Sequence, residues 1–268
     1  MEPQQKRQRG DKKWSIQLET PVLLTNIAQA IGALSQVIHL SVSESKITTQ
    51  AVSSSKSCIV AAELECSVDT GEAFSFSIDS RTFLMALKGI QDIYGILIFE
   101  SESNPDKIVL EARDPATNRS VMTWKIPKLE DDNFEVTLDT LNYDCEWMYD
   151  LNTLRGDLKR CREMDCDDIV SLGFRKNSAC SMVELRSQGV RGDFTITHSD
   201  DGSDTEGTMP PLLFKQSYCV ENLSDFLRAV NQPRIKLFLG PEQPMVVEAV
   251  LGSDNGKMSF VQGPHGSE

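Results

Sequence analysis

Four basic side chains crowd into two turns of a predicted helix, and their chemistry suits contact with phosphate groups. They are Arg155, Lys159, Arg160 and Arg162, in a chain whose formal net charge is -13. At about 100° per residue, Arg155, Lys159 and Arg162 fall in one stripe of the helix. A second stripe, roughly a quarter-turn away, contains Leu151, Leu154, Leu158 and Cys161. The helix is predicted to bury its apolar edge and present positive charge outward, although a solvated helix in an acidic protein has the same pattern.

The composition of the whole chain limits how widely such a surface can extend. With 268 residues, the chain is long enough for one large domain or two smaller ones. Its acidic balance argues against nucleic-acid binding over the entire surface but allows a local basic face. The sequence has no long apolar run and no secretory signal, so we expect a soluble intracellular protein with no membrane partner.

The cysteines and histidines do not predict a metal centre. The seven cysteines are odd in number and scattered, which is typical of reduced core thiols. The close pair Cys161 and Cys166 has the wrong spacing for a zinc knuckle, and His39, His198 and His265 are distant in sequence. We therefore expect no metal and no cofactor.

An enzyme is the alternative from a different functional class. The sequence contains neither a Gly-rich phosphate loop nor a recognisable Ser/His/Asp arrangement. The carboxylates that follow the basic helix have the pattern of a solvated turn; they are Glu163, Asp165, Asp167 and Asp168. We predict no catalytic residues.

The order of predicted elements repeats along the chain. The first half contains helices at 21–34 and 80–90 and strands at 39–42, 47–52, 57–64, 95–100, 107–112 and 120–126. The second half contains helices at 151–163 and 221–230 and strands at 169–174, 180–186, 193–198, 235–239, 244–251 and 257–262. A period this long indicates duplicated α+β domains, each with antiparallel strands covered on one face by two helices.

Four segments define the predicted domain organisation. Residues 1–13 are a polar, basic and disordered tail, in which Lys6, Arg7 and Arg9 match either a nuclear-import signal or a plain flexible tail. The N-terminal domain spans 14–126 and the C-terminal domain spans 145–264. The connector at 127–144 mixes acidic and large apolar residues, whereas 199–211 has the composition of a mobile acidic loop.

Two tandem copies of this order, joined by an acidic and apolar connector, resemble the DNA sliding-clamp family over residues 14–264. The resemblance is carried by the order and spacing of Thr49–Ser57, Leu158–Arg162, Phe226–Ala229 and Pro244–Glu248. It implies an α+β DNA-clamp fold in which an oligomer closes into a ring. Helices would line the hole, sheets would form the outer wall, and duplex DNA would pass through without being read.

The resemblance assigns DNA contacts to the helices. The matching positions are Lys159, Arg162 and Arg228, with Arg155, Arg160, Arg81 and Lys88 as neighbours that would contribute. The helix at 21–34 departs from the family because it has no basic residue, and Asn26 and Gln29 are its best polar substitutes. A ring would therefore be positive mainly along its second half, unless Lys12 and Lys13 compensate.

The resemblance also implies a cavity beneath the connector that takes an apolar anchor of a partner peptide. Matching positions are Val52, Ile59, Val136, Leu138, Tyr143, Pro244 and Val261, with Gln262 and Pro264 on the segment that pairs with the peptide. For Val52, Ile59 and Val261, ordinary strand core is the alternative. Lys56 and Phe260–Val261 depart from the family, which predicts an altered peptide, and the acidic connector favours partners with flanking Lys or Arg.

Ring closure in the family joins edge strands of neighbouring subunits, which match Arg119–Lys125 and Arg191–His198 here. The interface residues implied are Arg119, Val121, Trp124, Arg191, Phe194 and Ile196. Pairing of these edges satisfies backbone groups that would otherwise invite aggregation. Trp124 and Phe194 have the alternative of pointing into their own domain.

The function implied is that of a homotrimeric processivity factor that encircles duplex DNA and recruits a DNA polymerase and other replication and repair proteins. A clamp loader is an expected partner, and the expected location is the nucleus or, given the divergence, the replication site of a large DNA virus. Two alternatives share this biology. One is a subunit of a heterotrimeric checkpoint-type clamp, and the other is a non-circular viral processivity factor that works as a monomer or dimer.

Overall fold

The computed structural model describes residues 12–69, 73–130, 142–163, 168–178, 180–200, 209–252 and 255–266. Three predictions lie outside these described residues. They concern the tail at 1–11, the connector positions Val136 and Leu138, and the centre of the acidic loop at 201–208.

The described residues form four helices and seventeen strands. The helices are α1 (Val22–Gly32), α2 (Ser80–Lys88), α3 (Leu151–Glu163) and α4 (Val220–Ala229). The first-half strands are β1 (Lys12–Leu18), β2 (Val37–Val42), β3 (Lys46–Val52), β4 (Cys58–Glu65), β5 (Ser67–Asp69), β6 (Phe74–Asp79), β7 (Gly95–Ser101), β8 (Asn104–Arg113) and β9 (Ser120–Leu129). The second-half strands are β10 (Cys145–Asp150), β11 (Ile169–Lys176), β12 (Ser181–Gly189), β13 (Gly192–Ser199), β14 (Leu212–Cys219), β15 (Arg234–Leu239), β16 (Met245–Leu251) and β17 (Gly256–Gln262).

All four predicted helices are present, and the strand pairs with a described register are antiparallel. Strand β1 begins at Lys12, two residues before the predicted start of the N-terminal domain at residue 14. Lys12 pairs with Ser101 on β7, and its ammonium lies 4.5 Å from the ring centroid of Phe99. These contacts order two residues that composition alone assigned to the tail.

The chain divides into two compact units. The first unit comprises Met1–Ala28, Gln36–Thr49 and Glu63–Phe134, and the second comprises Gln29–Ser35, Gln50–Ala62 and Glu135–Glu268. The sequence predicted a single cut at the connector. The observed division differs because residues 29–35 and 50–62 belong with the second unit.

The first unit is built on a sheet with the strand order β3-β2-β6-β9-β8-β7-β1-β5. In its core, the ring of Trp14 stacks on Phe74 and Phe76, with centroid distances of 4.1 and 5.4 Å. Helix α2 buries Phe83 and begins at Asp79, whose carboxylate accepts a hydrogen bond from the backbone N–H of Thr82 at 2.7 Å. Asp79 is thus an N-cap that stabilises the first turn.

The second unit contains two sheets. Their strand orders are β10-β15-β16-β17-β4 and β13-β12-β11-β14. Helix α4 buries Phe226 against Phe260 of β17, with 5.3 Å between ring centroids. Helix α3 begins at Asp150, whose carboxylate accepts hydrogen bonds from the backbone N–H and hydroxyl of Thr153. Each helix therefore has an apolar side in the core and a second side that is free to carry function.

Candidate functional site

Helix α3 exposes the charges that the sequence placed on it. Its apolar stripe is buried, as predicted, through Leu151, Leu154, Leu158 and Cys161. Lys159 and Arg160 remain largely exposed, with 78% and 64% of their side-chain surface accessible, and Arg162 is 38% accessible. These three cations are therefore accessible to a polyanion.

Acidic neighbours offset part of this positive charge. The Arg162 Nε lies 2.8 Å from a carboxylate oxygen of Asp168, and Lys159 Nζ lies 3.8 Å from Glu163. On α4, Arg228 makes an ion pair with Asp225 at 2.5 Å. Exposed pairs of this kind contribute little to stability, so a phosphate competes for these cations at small cost.

Arg155 has a different role from the one predicted. Its guanidinium donates hydrogen bonds to the carbonyl oxygens of Leu227 and Val230, the latter at 2.8 Å. These carbonyls end α4, where a cation is favoured by the helix dipole. Arg155 is half-buried and fastens α3 to α4, so we remove it from the predicted phosphate contacts.

The helices of the first half carry fewer basic residues than those of the second half. Arg81 and Lys88 are exposed on α2, whereas α1 has no basic residue and buries most of its length, including Asn26. Gln29, the other polar substitute, is half-buried. The helices of the two halves therefore differ in the number of basic residues in the direction that the sequence predicted, with two in the first half and five in the second.

Lys12 and Lys13, the predicted compensating cations, are committed to contacts within the first unit. The Lys13 ammonium lies 3.3 Å from a carboxylate oxygen of Glu100, and Lys128 lies 2.8 Å from the other oxygen. Trp14 Nε1 donates to the same carboxylate at 3.3 Å. Burial alone would raise the pKa of Glu100, but the hydrogen bonds from Lys128 and Lys13 hold it below its ordinary value. Burial, together with the charge of nearby Arg113, lowers the pKa of Lys12.

An apolar row crosses the outer face of the larger sheet in the second unit. Phe238 on β15 pairs with Val246 on β16, which pairs in turn with Val261 on β17. Directly opposed residues on neighbouring strands share a face, so these three side chains are adjacent. The ring of Tyr143 lies 5.7 Å from that of Phe238, centroid to centroid. We call Tyr143, Phe238, Val246 and Val261 the apolar row.

Two of the predicted cavity residues share the face of the apolar row. Phe260 packs on Phe226 of α4, and the Cys58 thiol is hydrogen-bonded to the Asn222 side chain of α4. Phe260 and Cys58 therefore face α4. Neighbouring strand residues alternate between faces, which places Val261 and Ile59 on the opposite, outer face. Val52, at the end of β3, and Pro244, just before β16, are also half-buried. Sequence reasoning missed Phe238 and Val246, although strand alternation from Val261 and its partners would have found them.

The segment after β17 is fixed by backbone hydrogen bonds. The Gly263 N–H donates to the Ser57 carbonyl at 3.0 Å, and the His265 N–H donates to the Ser217 carbonyl at 2.7 Å. Gln262 is 2% exposed, and its side chain lies on the face of β17 opposite that of Val261. Its place on a segment that pairs with a peptide stays a prediction. Pro264 is half-buried and has no N–H to donate to a partner.

The strands predicted at the subunit interface have open edges among the described residues. Strand β9 pairs with β8 along Ser120–Pro127 and with β6 at Lys128 and Leu129 alone. Strand β13 pairs with β12 on one side and has no described partner on the other. Val121 and Arg119 on the β9 side and Arg191 before β13 are exposed. Phe194 and Ile196 are half-buried.

Trp124 is half-buried and packs within its own unit. A Cβ atom placed on Gly89 at the end of α2 would lie 3.1 Å from Cζ2 of Trp124. The indole therefore packs on the end of α2, and Gly89 leaves space for it. Of the two alternatives considered for Trp124, packing within its own domain is the observed one.

Two findings in the described part of the chain concern metal ions and membranes. There, no three His, Cys, Asp or Glu side chains converge in a way that could hold a metal ion. None of the four helices has both the length and the apolar character required to span a bilayer.

Two solved structures have the same fold along almost the whole chain. The proliferating cell nuclear antigen of Entamoeba histolytica is 15% identical, with a TM-score of 0.78, and the match covers 94% of this chain and 99% of that one. PCNA from Thermococcus kodakaraensis is 14% identical, also with a TM-score of 0.78, and covers 94% and 100% of the two chains. No family model matches the sequence, and no curated protein is a recognisable sequence relative. The predicted α+β DNA-clamp fold is confirmed.

Proposed function

We propose that this chain is a DNA sliding clamp that closes into a homotrimeric ring around duplex DNA and acts without catalysis. The ring would hold a DNA polymerase and other replication or repair proteins on the template, and a clamp loader would open it. Its place of action would be the nucleus or a viral replication site.

The observation that carries this proposal is an unmatched pair of strand edges. β4 and β13 are the third strands after the first helix of their halves, and β9 and β17 are the last strands of their halves. β17 already lies beside β4 within the chain. The equivalent pairing of β9 with β13 requires another subunit, because both edges are open among the described residues. Repeating that pairing head to tail generates a ring if the rotation closes.

The exposed cations suit a ring that slides. Lys159, Arg160, Arg162 and Arg228 belong to helices of the second unit and lie on no groove-reading motif. Contacts with phosphates fix orientation but carry no sequence information, which is what a sliding protein requires.

Oligomeric mass tests the proposed ring. Sedimentation velocity should give three times the monomer mass of 29.9 kDa. Val121→Lys places a charge on the open edge of β9 and should produce monomers, because a buried unpaired charge opposes association. The matched control is Val190→Lys, since Val190 is 91% exposed in the turn before β13, and this variant should remain trimeric. A monomeric wild type at micromolar concentration would refute the homotrimer.

The apolar row supports docking of partner peptides. Burial raises the pKa of Tyr143, and the nearby Glu248 adds to that rise, so its hydroxyl stays neutral beside the row. A labelled peptide with aromatic anchors and flanking lysines is the probe. Phe238→Ala should weaken its binding about tenfold, which corresponds to ~1.4 kcal/mol. Met85→Ala is the control, because Met85 is an exposed apolar residue of α2, outside the apolar row. Equal binding by Phe238→Ala and the parent chain would remove the docking assignment.

A further inference from the structure

A buried carboxylate joins three elements of the second unit. Asp157 of α3 is 2% exposed, and its Oδ2 accepts a hydrogen bond from the Tyr149 hydroxyl of β10 at 3.1 Å. The same oxygen lies 2.8 Å from Nε2 of His198 on β13. Because a carboxylate only accepts, His198 is the donor in this contact. Arg160 adds a looser ion pair from the solvent side, with 3.6 Å between Nη1 and Oδ1 of Asp157.

The aromatic rings make this cluster rigid. Tyr149 and His198 meet edge to face, with 5.0 Å between ring centroids. Tyr149 is buried, and burial first and the Asp157 charge second raise the pKa of its hydroxyl, so Tyr149 remains a donor. A hydrogen-bonded polar network in a protein interior favours one arrangement of the elements that it joins.

Helix α3 contacts β13 at both of its ends. At the end of the strand, His198 bonds to Asp157, and just before its start, Arg191 Nη1 donates to the Glu163 carbonyl at 3.5 Å. Between these contacts, β13 is held by the ladder to β12 on one side only. The helix therefore braces an edge strand whose other side is open among the described residues.

In the first half, the segment that corresponds to the end of β13 is held by a backbone ladder. There, β5 follows β4 directly and pairs with β1, with Ser15 opposite Asp69 and Gln17 opposite Ser67. In the described part of the second unit, no strand occupies this place beside β10. Side chains from α3, β10 and β13 make the connection that a backbone ladder makes in the first unit.

We propose that Asp157 is a positioning residue for subunit pairing. Acting through His198, it holds the end of β13 against β10 and α3, so that β13 offers a preformed edge to β9 of a neighbouring copy of this chain. The inference rests on the proposed ring. An edge that is ordered before association saves the entropy of ordering it during association, which tightens binding.

The test separates association from folding by measuring both in each variant. Sedimentation velocity over a dilution series gives the oligomer dissociation constant, and urea unfolding gives the stability of the chain. His198→Leu removes the hydrogen bond to Asp157 and should raise the dissociation constant about tenfold or more. His198→Gln keeps a donor and should stay within about threefold of the parent. Glu163→Gln is the control on the same helix, because the exposed Glu163 side chain forms an ion pair with Lys159, outside the Asp157 cluster, and the change keeps the backbone carbonyl that accepts from Arg191. It should change neither quantity.

A double variant distinguishes positioning from plain stabilisation. Asp157→Leu combined with His198→Leu replaces the polar pair by apolar contact, which commonly restores stability. We expect its unfolding to approach that of the parent while its dissociation constant remains raised. If the larger changes do not fold, Tyr149→Phe is the substitute, because it removes one hydroxyl only. We expect it to raise the dissociation constant by a smaller amount.

Two results would overturn the inference, and they differ in what else they refute. If the parent is oligomeric and the variants have the same dissociation constant, the positioning role alone is overturned. The same holds if the double variant recovers the parent's dissociation constant together with its stability. A parent that stays monomeric at every concentration refutes the ring and the inference together.

Discussion

The first helices of the two halves bury similar apolar stripes but expose different side chains. Helix α1 buries Leu24, Ile27 and Ile31 and carries no charge, whereas α3 buries a similar apolar stripe and exposes Lys159 and Arg162. The comparison indicates that the packing side of a duplicated helix is constrained by the core, while its outer side is free to diverge. Electrostatic attraction for DNA would therefore be concentrated in the second unit.

The two units also differ in the partners of a buried carboxylate. In the first unit, Lys13 and Lys128 are engaged by the buried carboxylate of Glu100. In the second unit, the buried carboxylate of Asp157 takes its short hydrogen bonds from Tyr149 and His198. The two buried carboxylates therefore have different partners, while exposed cations lie on helices of both units.

The largest expected effect comes from removing the exposed cations of the second unit. Changing Lys159, Arg162 and Arg228 together to Ala should reduce the slope of log affinity against log salt by about 0.9 for each lost phosphate contact. Fluorescence anisotropy with a duplex over a salt series measures this slope. The matched control changes Arg81 and Lys88 of α2, which should have a smaller effect. An unchanged slope in the triple variant would break the comparison.

Adding cations to α1, which α3 already carries, should strengthen electrostatic binding to DNA. Gln29→Lys and Thr25→Lys put cations on the half-buried outer positions of α1, so each should steepen the salt slope by about 0.9. Gln29→Met is the control for side-chain length without charge. If the lysines leave the slope unchanged while the chain stays folded, α1 does not face DNA.

Glu100→Gln should destabilise the chain by about 2 kcal/mol at neutral pH, because two ammonium groups lose a buried partner. The pKa of Glu100 is lowered in the folded chain, so its charged form contributes stability above the ordinary Glu value, and this contribution is lost as pH falls through the lowered pKa. The difference between variant and parent in urea unfolding should therefore shrink below about pH 4. A constant difference from neutral to acid pH would contradict this assignment.

The smallest expected effect on DNA binding is that of Arg155→Met. Loss of its bonds to the end of α4 should cost about 1–2 kcal/mol of stability and leave the salt slope at its parent value. Lys159→Met on the same helix should do the reverse. Urea unfolding and anisotropy on both variants measure the two quantities, and a reduced slope for Arg155→Met would return that residue to the DNA contacts.

Local pattern was sufficient to predict the helices but not every strand. The bounds of α3 were predicted from its apolar stripe and its basic residues, and the observed helix is Leu151–Glu163. Strands β6, β10 and β14 were not predicted, although Phe74, Phe76 and Ile78 alternate clearly with polar residues in β6. The three-residue β5 has too few residues for periodicity and is defined only by its pairing with β1.

The candidate site shows where sequence reasoning reaches its limit. Arg155 shares a stripe with Lys159, and only the position of α4, 72 residues away at Leu227, decides that it bonds inward. The contact between Asp157 and His198 likewise spans 41 residues, and an acidic residue within a basic helix has no pattern that predicts burial. Such contacts depend on tertiary packing, which a residue spacing does not encode.

Retention on end-blocked DNA tests the central claim most directly. The chain is incubated with linear duplex DNA that carries biotin at both ends, streptavidin is then added, and free protein is washed away at high salt. A closed ring should stay on the blocked DNA in salt that screens phosphate contacts, and should leave when a restriction enzyme opens one end. Release from the blocked DNA at high salt, or retention after cutting, would contradict encirclement.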